Sequence, residues 1–418
     1  MKRLIFIIFL LIPVTSSAAT FYLDTRLQTQ VRENVTAERE VPFDTYFDAG
    51  MADLPYNGSF DVSLRNNRVF NIEHDEFDLY QTVFRMNNIG GWFDFSAGRQ
   101  FISPGFHTYL MDGLSMTFGE DDWPILIGLF SGIPRYIETG DFHGEIGLVS
   151  GITAELQGFK NYYMKLSLVY DTLDIDDANW KEDDTILVGL SSYKQFSAKA
   201  KPTLYTDIEY DTAGNAFETG LLGFSLEPHQ RVYWNIEGGY FDTNRARQRT
   251  TIFGLYGSDM FYQARTGLAI TAVEDSKGVK DLVFNVGYGF QRLKVQSPLD
   301  ENAHLVDSGF GMTISPARMD LGATYTFYDS FGGRAHDIYG YIHEQPFDIW
   351  GIELGAGYAK YSKVTNDNDT AISVLLMTDV EVVKDLVLSA GGEYLRNNIF
   401  SNEWRFNGVI SYRLDHKI

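Results

Sequence analysis

Apolar side chains recur at every second position along this chain, in runs of eleven to thirteen residues. In WGIELGAGYAK, Trp350, Ile352, Leu354, Ala356 and Tyr358 share one face, and Gly351, Glu353, Gly355, Gly357 and Ala359 share the other. DLVFNVGYGFQ sets Leu282, Phe284, Val286, Tyr288 and Phe290 against Val283, Asn285, Gly287, Gly289 and Gln291. The closing segment SNEWRFNGVISYRLDHKI repeats the pattern through Trp404, Phe406, Ile410, Tyr412 and Leu414. A period of two is a β-strand with two unlike faces. Strands of soluble proteins run about 5–6 residues. A strand that crosses a bilayer needs about 9–11, apolar toward lipid, polar toward a lumen and aromatic at both interfaces. In hydrocarbon only helices and closed barrels satisfy every backbone N–H and C=O, and no helix candidate interrupts the alternation. The expected fold class is all-β, a transmembrane antiparallel β-barrel.

The N-terminus sets the compartment. MKRLIFIIFLLIPVTSSAA has a basic start, an apolar run from Leu4 to Val14, and small residues at Ser17 and Ala19. That is the pattern of a secretory signal peptide, 1–19, too short to span a membrane. Residues 20–418 then form a single barrel domain in the bacterial outer membrane. The chain has no cysteine, so it cannot attach a c-type haem or build a thiolate metal site by itself. Its net charge of -22 argues against a nucleic-acid partner. The expected surroundings are outer-membrane lipid and lipopolysaccharide, with the barrel assembly and periplasmic chaperone machinery acting during export.

Roughly twenty-one segments read as strands. Counting back from a C-terminus on the periplasmic side, RNNIFSNE, KVTNDNDT, DSFGGRAHD, QSPLDENAH and DTLDIDDANWKEDD fall outside, and VKD, EQPFD, SPAR, EPHQ and QGFKN fall inside. Long and short connections sort as an outer-membrane barrel requires. Parity fails only in the N-terminal third, where NVTAEREVPFDTYFDAGMADLPYNG does not read as a strand. The expected strand number is even, between 18 and 22.

No catalytic constellation is present. The eight histidines lack metal-site spacing, there is no G-x-S-x-G and no P-loop, and His304 with Ser308 is a weak echo of a lipase pair. The chain is expected to be no enzyme and to bind no cofactor or metal. The lumen-phase charges are Arg231, Glu237, Asp320, Glu353, Glu393, Arg405 and Arg413. The loop 243–260 holds Arg245, Arg247 and Arg249 at alternate positions, and is either a constriction folded into the lumen or an extra outer hairpin. The block 34–57 is a second plug candidate. Asp171, Asp174, Asp176, Asp177, Glu182, Asp183 and Asp184 crowd one outer connection. They are either a solvated loop or a place where cations bridge to lipid phosphates.

The stretch DLYQTVFRMNNIGGWFDFSAGRQFISPGFHTYLMDGLSM resembles the early strands of porin-like outer-membrane barrels, weakly including the alginate-export type. Such barrels often place Gly-Arg-Gln at the end of an early strand, here Gly98, Arg99 and Gln100, with an Asp-Gly after it, here Asp112 and Gly113. The resemblance implies that Arg99 sits at the rim or lumen and pairs with a carboxylate. A mixed lumen lining does not suit a polyanion conduit. The function expected is passive diffusion of small polar solutes or ions, with modest cation preference. The alternatives are a scaffold around a periplasmic partner such as a multihaem cytochrome and, further off, a polysaccharide-export pore.

Overall fold

The computed structural model describes residues 19–417 apart from 34–37, 71–73, 106, 120–122, 136–146, 173–183, 243–259, 277, 294–301, 331–332, 364–365 and 398–401. Residues 1–18 of the expected signal peptide, and Arg245, Arg247 and Arg249, lie outside the described residues. Twenty-two strands form the wall. They are β1 (Thr20–Glu33), β2 (Pro42–Leu54), β3 (Gly58–Val69), β4 (His74–Ile89), β5 (Phe93–Ile102), β6 (Tyr109–Phe118), β7 (Ile125–Arg135) and β8 (Leu148–Leu156). Then come β9 (Tyr162–Thr172), β10 (Thr185–Gln195), β11 (Thr203–Asp211), β12 (Ala216–His229), β13 (Val232–Asp242), β14 (Met260–Ser276) and β15 (Val279–Leu293). The last seven are β16 (Asn302–Ile314), β17 (Met319–Ser330), β18 (Gly333–Phe347), β19 (Trp350–Lys363), β20 (Asn366–Val383), β21 (Leu386–Arg396) and β22 (Glu403–Lys417). A two-residue bridge, Arg39–Glu40, pairs with the end of β1.

Every strand pairs antiparallel with its sequence neighbours, and β22 returns to β1 in unbroken register from Thr20↔Lys417 to Val31↔Phe406. The sheet has no free edge. β2 is the strand that sequence parity lacked, so residues 42–54 are wall rather than plug, and 55–57 form the turn after it.

The outward face is the apolar one. Leu354 is 45% exposed, and its register partners Ile342 and Leu376 are 44% and 54% exposed. Exposed apolar side chains in a closed sheet are what a barrel presents to hydrocarbon. Aromatic pairs mark both ends of this band. Phe347 stacks on Trp350 at 5.9 Å near the short turns, and Tyr394 meets Trp404 at 5.0 Å near the long connections. Trp234 and Trp350 each donate the indole N–H to a threonine on the next strand, Thr266 at 3.0 Å and Thr378 at 2.7 Å. A buried ring body with a satisfied polar tip suits an interface.

The register makes facing testable. Glu353 pairs with His343 and Met377 on the inner face, one residue from outward Leu354. With cysteine at either position, a water-soluble maleimide labels 353 and spares 354; reversed labelling would refute this orientation. Leu354→Arg costs roughly 2–4 kcal/mol in denaturant titration of the lipid-embedded barrel.

Candidate functional site

The hairpin β5–β6 does not simply continue the wall. Its strands pair up to Ile102↔Tyr109, and the connection between them brings His107 inward. His107 Nδ1 is in direct contact with a Glu209 carboxylate oxygen, and the His107 backbone N–H lies 3.4 Å from the other. Glu209 belongs to β11, five strands beyond β6. At about 4.8 Å per strand that is roughly 24 Å along the wall, so the contact runs over the inner faces of the strands between. Lys165 on β9 donates to the Ser103 carbonyl at 2.9 Å, beneath the same tip. Both His107 and Glu209 are buried.

Apolar side chains on the inner phase hold this tip. Tyr109 and Met111 of β6 form one buried cluster with Phe130 of β7, Val149 of β8, Val169 of β9 and Leu187 of β10. These wall residues share a face by register, through Phe130↔Gly151, Gly151↔Val169 and Val169↔Leu187. Each fully buried side chain of this size contributes roughly 1.5–3 kcal/mol. The base of the hairpin is clamped electrostatically. Arg99 grips Asp112 with two bonds of 2.6 and 2.8 Å, and Arg135 reaches the same carboxylate at 2.7 Å. Just before the clamp, Gly98 has φ 122°, a backbone conformation that side-chain-bearing residues rarely adopt.

A β-bulge between Glu209 and Tyr210 leaves Glu218 as the extra residue opposite them. A bulge re-aims side chains, and Glu218 ends fully buried beside the first two. One donor atom each of His107, Glu209 and Glu218 lies within 4.8 Å of the others. Among the described residues this is the one group whose spacing suits a divalent ion.

Further round the wall, β13–β16 form a recess of about 360 Å³. Glu237 faces Arg265 across the β13–β14 pair, with Asn235, Asn285 and Asp307 beside them. The recess exists because Gly267 and Gly287 replace side chains in this inner row, opposite Asn235 and Asp307. A second recess, about 440 Å³, lies nearer the short turns and holds Asp281, Thr313, Asp320, Tyr341 and His343.

No family model matches the chain. No curated protein matches it. Solved structures from Pseudomonas aeruginosa do. OccK2 (OpdF) is similar with a TM-score of 0.50 at 9% identity, over 95% of this chain and 98% of that one. OpdK with vanillate gives 0.49 at 10% identity, over 95% and 99%. OccK9 (OpdG) gives 0.46 at 13% identity, over 95% and 98%. The fold is that of an outer-membrane porin-like barrel.

In this porin-like barrel the residues singled out by sequence fall in several places. Glu237 lies in the first recess and accepts a hydrogen bond from the Tyr205 hydroxyl at 3.0 Å. Asp320 lies in the second and accepts from Thr313 at 2.6 Å. Glu353 continues that row through His343. Glu393 opposes Arg405, whose guanidinium is 3.8 Å away and bonds twice to Glu403, at 2.8 and 2.9 Å. Arg413 pairs along its own strand with Asp415 at 3.1 Å. Arg231 sits in a two-residue turn, 4.0 Å from Glu274. Arg99 is paired with Asp112, and its register places it on the outward phase with Phe101 rather than in the lumen. Gln100 turns the other way, to Ser96 and the Gly113 carbonyl. His304 and Ser308 both lie in the outward phase of β16, and His304 Nδ1 is 2.9 Å from the Tyr288 hydroxyl rather than near a serine nucleophile.

Sequence reasoning missed the hairpin tip, Arg265 and Asp307. The last two were open to it, since QARTGLAITA and HLVDSGFGM alternate cleanly. The tip was not: its partner in the chain is 102 residues away.

Proposed function

We propose that the barrel is a passive channel for small polar solutes and ions, narrowed by the β5–β6 tip and modestly selective for cations. The supporting observation is an acidic arc on the inner phase of β15–β20. Asp281, Asp307, Asp320, Asp337, Glu353 and Asp379 occupy it, facing Arg265 and His343. On β1–β4, by contrast, two of the inner carboxylates are matched by arginines, while Asp24 and Asp48 oppose each other in register. Arg65 binds Asp44 at 2.7 Å, and Arg85 contacts Asp61. Unmatched carboxylates along one wall raise the local cation concentration and repel anions.

A reversal potential across a KCl gradient tests this. The expected sign is that of a cation-selective pore, stronger at low salt, where screening is weaker. Asp320→Asn with Glu353→Gln brings the potential toward zero. Anion selectivity would refute the assignment. A folded barrel with no conductance at all would favour the scaffold reading, in which a partner fills the lumen.

A further inference from the structure

The outward face carries a group of cations at one place only partly explained by internal pairing. Above the hydrocarbon band of β15–β19, Tyr288, Phe290, Tyr325, Phe327 and Tyr358 point outward in adjacent register rows. Two copies of one arrangement stand there. Tyr288 is 2.9 Å from His304 Nδ1, with Phe290 against the same imidazole at 5.3 Å. Tyr325 is 2.9 Å from His336 Nδ1, with Phe327 at 4.8 Å. Such a belt marks the level where hydrocarbon gives way to headgroups.

Lys360, Arg334 and Arg396 extend from this level on the same outward phase. Lys360 is the register partner of His336, Arg334 lies one outward position above His336, and Arg396 pairs with Ile372 beside Tyr358. All three are exposed. Asp329, 2.8 Å from Arg334, is the one carboxylate among the described residues on this part of the outward face. Cations set side by side on a sheet repel, and long basic side chains at a membrane boundary reach for anionic headgroups. The corresponding outward positions on β9–β12 are Tyr170, Ile186, Tyr210 and Phe217, with no cation. The patch thus sets β16–β21 apart from β9–β12, and spans roughly 24 Å at the spacing of strands.

We propose that this patch is a docking site for a phosphorylated glycolipid of the outer leaflet. Arg334, Lys360 and Arg396 engage its phosphates, and the Tyr–His–Phe pairs support the sugar and the start of the acyl chains. Arginine matches phosphate oxygens with two parallel bonds, and lysine adds a point charge. The proposal requires the barrel and its orientation, not the channel activity.

The test is native mass spectrometry of the detergent-purified barrel titrated with bisphosphorylated lipid A, its dephosphorylated form and phosphatidylglycerol. The expected result is one tightly held lipid A per barrel. Combining Arg334→Ala, Lys360→Ala and Arg396→Ala weakens it roughly tenfold or more, while Lys280→Ala at the periplasmic end leaves it unchanged. Heat-modifiable mobility confirms that each variant is folded. Equal binding to the triple variant, equal binding of the dephosphorylated form, or phosphatidylglycerol binding as tightly would each overturn the proposal.

Discussion

Removing residues 401–418 leaves no folded barrel in the outer membrane. β22 is held on one side by β1, from Thr20↔Lys417 to Val31↔Phe406, and on the other by β21, from Leu386↔Tyr412 to Leu395↔Glu403. Its loss exposes a row of N–H and C=O groups on each of two strands to hydrocarbon. Each unsatisfied group costs several kcal/mol there, and a whole domain is stable by only about 5–15 kcal/mol. The outward rings of Trp404, Phe406 and Tyr412 are lost as well. Heat-modifiable mobility of the outer-membrane fraction reads the result. Folded protein at normal abundance would contradict the closure shown by the register.

Replacing residues 103–108 with two glycines enlarges the conducting path. The tip reaches Glu209 on β11 and covers an apolar inner surface, so taking it away widens the cross-section there. Single-channel conductance rises about two-fold or more if this is the narrowest point, because the narrowest section dominates resistance. His107→Ala is the milder variant. It leaves the apolar cluster in place but cuts the tie to Glu209, and gives a noisier channel with a smaller mean increase. Unchanged conductance in the six-residue replacement would place the constriction elsewhere.

The wall was legible because lipid imposes one rule on every strand. Leu354, Phe284 and Trp404 declare their face through alternation alone. β2 obeys the same rule, with Phe43, Phe47 and Met51 in one phase, but signals it weakly. Its lumen side is heavy with Asp44, Tyr46 and Asp48, and its far end breaks at a bulge between Met51 and Leu54, where Asp53 takes φ 58°. The recess was half legible: Glu237 was singled out, but not its register partner Arg265. The hairpin tip was not legible. Nothing local in FISPGFHTYL says that it folds inward. The direction is set by inner-face Phe130, Val149, Val169 and Leu187, which read in sequence as ordinary strand residues.

The β1–β22 seam also fixes an order of events. β1 is the first wall strand to emerge during export, and its hydrogen-bonding partner on one side is the last. Local hairpins can zip up as they appear, but this contact spans nearly the whole chain, and contacts of such separation form slowly. In the interval a nearly complete sheet carries a sticky edge, the species most prone to aggregate. The time for which that edge stays open is therefore set by the arrival of Glu403–Lys417, and slowing synthesis late in the chain lengthens it more than slowing it early.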